Sequence, residues 1–109
     1  MIRWSPAAPA RPACPHRRLT RLLAAELPAG WALASSTMRP WASANFVGAR
    51  HIFPCIAGEG DVSAIQERLA ALEWRLPGHI VADIAVEAAG DDRVDDDCNL
   101  RIEILTVED

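Results

Sequence analysis

Three histidines, three cysteines and a run of aspartates are the side chains of this 109-residue sequence that could hold a metal, move a proton or attack a carbon. His51 and His79 each stand in a stretch of alternating apolar residues, and an imidazole changes charge near neutral pH, so these two are the candidate proton-transfer or ligand-anchoring pair. Cys55 becomes a nucleophile only if folding brings a histidine against it. Cys14-x-His16 and His51-x-x-x-Cys55 do not have zinc-pair spacing. In an extended strand the ends of 51–55 lie about 13 Å apart, too far to share an ion, and the same rise separates His79 from Asp83. Ser35, Ser36, Ser43 and Ser63 have no base beside them in sequence, and no G-x-S-x-G motif is present. The acids Asp91, Asp92, Asp95, Asp96 and Asp97 lack calcium-loop spacing and read as a solvated turn. Gly58-Glu59-Gly60 precedes a helix but is flanked by acid and followed by no lysine, so it reads as a loop rather than a phosphate cradle. The sequence therefore assigns no catalytic residue, no metal and no cofactor.

The elements that must position these side chains follow from periodicity. Leu19, Leu22, Leu23 and Leu27 recur at helical spacing over 16–27, with Arg17, Arg18 and Arg21 off that stripe, and Pro28 stops the helix. Residues 31–38 and 42–53 read as strands joined across Arg39-Pro40-Trp41, the second ended or pushed to an edge by Pro54. A second helix follows Gly60, with Asp61 or Ser63 as N-cap, a Ser63/Gln66 capping box, and Ile65, Leu69 and Leu72 inward. Residues 79–89 and 100–107 alternate as strands, with Ile80, Ala82, Ile84 and Val86 on one face of the first and Leu100, Ile102 and Ile104 inward on the second. Segments 21–34 and 68–82 resemble each other, each an Arg-Leu helix ending in Leu-Pro, then glycine, then a strand.

The expected fold is an α+β two-layer sandwich of order αββαββ, in which a four-stranded antiparallel sheet carries two helices on one face, a permutation of the ferredoxin-like arrangement. Residues 1–15, with four prolines, form an irregular arm, and 16–109 a single domain. The uncovered sheet face is expected to hold Val47, Phe53, Val81, Ala85, Leu105 and Val107 among His51, His79, Asp83, Glu87, Arg101 and Glu103. A half-apolar face of that kind suits a partner or a ligand.

Half of the residues are apolar and the net charge is −4, which excludes a disordered chain and a generally basic nucleic-acid binder. No apolar stretch approaches the ~20 residues of a membrane span. Three widely spaced cysteines argue against a disulfide scaffold and for the cytoplasm. Charge is divided along the chain: residues 1–56 carry net +6, residues 57–109 net −10. Opposite halves can therefore meet, within a molecule or across a homodimer, with Arg17, Arg18 and Arg21 against the 91–97 acids. The segments WASANFVGARHIF, LPGHIVADIAV and ILTVED resemble a class of short proteins from high-GC bacteria, over residues 31–109; the resemblance implies no activity or site. The expected function is a small non-enzymatic self-associating or protein-interaction domain. The alternatives are a small-molecule binder or enzyme using His51 and His79 on the open face, and a nucleic-acid adaptor working through the arginine helix.

Overall fold

The computed structural model describes residues 14–88 and 98–109; the acids of 91–97 and most of the 1–15 arm lie outside them. Helix α1 (His16–Glu26) buries Leu19 and Leu23 and stops before Pro28, whose ring cannot continue an α-helix. Helix α2 (Val62–Ala71) starts at Asp61, whose carboxylate accepts the Ser63 N–H at 2.9 Å. That cap is one of the two expected; the Ser63/Gln66 box is not formed. The Gln66 amide instead donates to the Ile84 carbonyl at 2.7 Å and accepts the Val86 N–H at 2.6 Å.

The strands are β1 (Ala32–Leu33), β2 (Thr37–Ala42), β3 (Val47–Ile56), β4 (His79–Ala88) and β5 (Leu100–Glu108), all paired antiparallel in one sheet. There are five rather than the expected four, because β1 and β2 lie end to end along the same side of β3, with β5 and then β4 on the other. Pro54 explains the break. It lies within β3, neither ending it nor sitting at an edge, and it has no N–H to give the neighbouring strand. Residues 34–36 bulge past it, held by the Ala34 N–H on the Pro54 carbonyl at 2.9 Å. The turn also differs from expectation: Arg39-Pro40-Trp41 is paired strand, and the chain reverses at 43–46, where Ser43 N–H bonds the Phe46 carbonyl at 2.8 Å. Proline is tolerated at position 40 because β2 is an edge strand.

The core gathers Leu19 and Leu23 of α1, Ile65 and Leu69 of α2, Trp31, Leu76, and the inward residues Phe53, Cys55, Ile84, Leu100, Ile102 and Ile104 of the sheet. All the buried sheet side chains lie on one face, so both helices cover that face and the other is left open among the described residues. Gln66 serves this layering: its amide occupies the free edge of β4 as a neighbouring strand would.

Candidate functional site

The two faces of the sheet present different chemistry. In β3 the inward side is the odd-numbered one, Ala49, His51, Phe53 and Cys55, which corrects the expectation that His51 and Phe53 belong to the open face. Both sides of β3 alternate with comparable apolar content; the deciding residues are Arg50 and His51. A guanidinium cannot be neutralised for burial, whereas a neutral imidazole with two hydrogen bonds can. Val81 is likewise turned inward, opposite buried Thr106, because a bulge between Val81 and Asp83 flips the alternation of β4 and leaves Ile80 52% exposed. Val47 shares the inward parity but stands exposed where β3 begins.

Beneath α1 the inward face carries a chain of polar groups. Ser36 Oγ lies 2.7 Å from His16 Nε2, His16 Nδ1 lies 2.8 Å from His51 Nδ1, and His51 Nε2 lies 2.9 Å from Thr106 Oγ1. With the Thr106 hydroxyl donating to the Ala49 carbonyl at 3.4 Å, the rest of the chain runs in one sense. His51 Nε2–H donates to Thr106, His16 Nδ1–H donates to His51, and the Ser36 hydroxyl donates to His16 Nε2, with both imidazoles neutral. The His16 ring also stacks on His51 (centroids 5.1 Å, 13°) and on Phe53 (5.4 Å, 5°). Burial, with the neighbouring His16 and His79 adding to it, pulls His51 down to about 4, and burial also lowers His16. His51 is fully buried, so it is no surface anchor. His79, also expected on the open face, shares the inward parity of Val81 but stands apart from His51, lining a cavity of about 160 Å³ with Cys14, Met38, Thr106 and Glu108. Thr106 is thus the wall between His79 and the histidine pair. Cys55 is buried, its thiol pushed up to about 11 mainly by that burial, which leaves it unreactive.

Sequence reasoning missed His16, Ser36 and Thr106 as members of one network. The signal was present: one turn before Leu19 and two before Leu23, the apolar stripe of α1 ends on His16. A histidine on a buried stripe, facing another on a buried strand, has to find polar partners.

On the open face, register sets the residues in rows across the sheet. One row is Trp41, Gly48, Val107 and Ile80; the next is Arg39, Arg50, Leu105 and Asp83. Arg39 and Arg50 are direct cross-strand partners of like charge, an unfavourable pairing, relieved on one side by the Arg50 Nε to Glu103 Oε1 contact of 3.0 Å. Arg39, Pro40, Trp41, Arg50 and Leu105 line a groove of about 440 Å³. The Trp41 Nε1–H at its wall is buried and meets no acceptor among the described residues. Glu87 and Arg101 pair at 3.2 Å further along. Of the helix arginines, Arg17 and Arg21 are exposed and Arg18 donates to the Arg75 carbonyl at 3.0 Å. Their expected acidic partners at 91–97 are outside the described residues. The Gly58-Glu59-Gly60 loop packs on Trp31, whose indole donates to the Glu59 carbonyl at 3.1 Å.

Among the described residues no three His, Cys, Asp or Glu side chains form a group that could hold a metal, and no helix is long and apolar enough to cross a membrane. None of the three cysteines is in a disulfide. The fold defines an α+β domain of two helices on a five-stranded antiparallel sheet. Comparison with family models, curated proteins and solved structures finds no match, so the functional reading rests on this geometry.

Proposed function

We propose that the protein is a small self-associating domain whose open sheet face meets the same face of a second copy. The observation that carries this is the order of residues across that face. A two-fold axis parallel to the strands, between β3 and β5, sets the β2 edge of one copy over the β4 edge of the other. Trp41 then meets Ile80, Gly48 meets Val107, and Arg39, which pairs with no acid among the described residues, meets Asp83, while Arg50, already held by Glu103, lies over Leu105. The like-charged Arg39–Arg50 pair gains from a carboxylate brought over it. Four strand positions of eight to ten residues give a face of roughly 600 Å² per copy, at the lower end of stable interfaces. A cytoplasmic setting suits the cysteines, which form no disulfide.

Light scattering across a concentration series tests this. The expected result is a mass rising towards that of a dimer, falling back to a monomer in Ile80→Glu with the fold intact. A wild-type monomer throughout, or an Ile80→Glu protein that dimerises as well as wild type, rejects the face as the interface.

A further inference from the structure

We propose that Ser36 is a nucleophile, its hydroxyl hydrogen-bonded to His16 Nε2 at 2.7 Å and able to take an acyl group from small carboxylic esters. This is independent of self-association, because Ser36 and His16 belong to the helix-covered side of the edge strands and not to the open face. The arrangement has the parts that nucleophilic catalysis needs: the hydroxyl of a half-buried serine, a neutral imidazole accepting its proton, and a third group orienting that imidazole. His51 fills the third role by accepting His16 Nδ1–H at 2.8 Å, and is itself held by Thr106 at 2.9 Å. Stacking on His51 and on Phe53 fixes the plane of the His16 ring, so the base is positioned before any substrate arrives. Ser36 lies in the 34–36 bulge opposite Pro54, where the chain leaves the ladder; bulges of this kind re-aim side chains.

In the acylation step a bond forms between Ser36 Oγ and the ester carbonyl carbon, and the bond from that carbon to the leaving oxygen breaks. The hydroxyl proton moves to His16 Nε2 and then to the departing alcohol. Water, deprotonated by the same nitrogen, releases the acid and restores the hydroxyl. A neutral imidazole stands where a Ser-His-Asp set has its carboxylate, so the imidazolium is less stabilised and activated esters are the substrates to expect.

The test uses p-nitrophenyl acetate on the full chain, following phenolate release and locating the acetyl group by peptide mass spectrometry. Acetylation is expected on Ser36 at least tenfold faster than on Ser35, which is exposed and has no imidazole partner. Ser36→Ala removes that adduct, and His16→Gln slows it by about a hundredfold, the usual worth of a general base. His51→Leu slows it as well, and His51→Gln restores most of the loss because its amide can accept from His16 and donate to Thr106. That rescue separates orientation from packing. Equal labelling of Ser35 and Ser36 in the wild-type chain overturns the proposal without recourse to any variant, as does acetylation confined to Cys14.

Discussion

On the helix-covered face Phe53, Ile102 and Ile104 are fully buried, while one residue along the same strands Arg50, Glu103 and Leu105 keep contact with solvent. Both faces contain apolar and ionisable groups, but they handle them differently. The covered face holds His16 and His51 neutral and ties all four of their ring nitrogens into one hydrogen-bonded chain. The open face pairs Arg50 with Glu103 and Arg101 with Glu87, and leaves Arg39 opposite another arginine. The lesson is that burial selects for groups that can lose their charge, whereas exposure permits like-charge neighbours that a second surface can later resolve.

Replacing Phe53 with Ala should give the largest contrast between the faces. It should cost about 3–5 kcal/mol in urea unfolding, because the ring is fully buried and stacks on His16, whereas Ile80→Ala on the open face should cost under about 1 kcal/mol in the monomer. Acid is the next probe. His51 sits at about 4 in the folded chain against 6.5 unfolded, so the unfolded state takes up the proton first. Stability is therefore full above pH 6.5 and falls by about 1.4 kcal/mol per pH unit as pH drops towards 4. Denaturation midpoints at pH 7.5 and pH 5 check this, and His51→Gln should flatten the dependence. A smaller effect, about 1–3 kcal/mol, is expected for Gly48→Ala, since a methyl there collides with the Thr106 carbonyl and presses on Trp41. The Arg50–Glu103 contact should contribute least. The Arg50 side chain is 57% exposed, and a double-mutant cycle should return under about 1 kcal/mol, declining with salt.

Both helices, the long strands and the class of fold were legible in the spacing of leucines, isoleucines and prolines. The inward side of β5 was legible too, because Arg101 and Glu103 admit one reading. The inward side of β3 was not, since Ala49 and Phe53 on one side compete with Ile52 and Ile56 on the other, and the choice turns on a histidine whose burial depends on partners 35 and 55 residues away. The bulge in β4 was hidden for a related reason: HIVADIAV alternates acceptably in either parity, and pairing with β5 selects the slip. The turn at 43–46 lost to Arg39-Pro40-Trp41 because proline is a stronger turn signal than serine-asparagine, and an edge strand accommodates it. The Ser36 chain joins four segments, so its members become visible as a unit only once α1 is laid across β3.

The most direct test of the open face as a self-association surface is a charge-exchange series at Arg39 and Asp83, read by solution mass. Within one copy these residues stand three strand spacings apart, about 14 Å, so they have little reason to couple. Across the proposed two-fold they face each other. The account predicts that Arg39→Asp and Asp83→Arg each shift the protein towards monomer and that the double variant recovers the dimer. Dissociation that is merely additive in the double variant would contradict it.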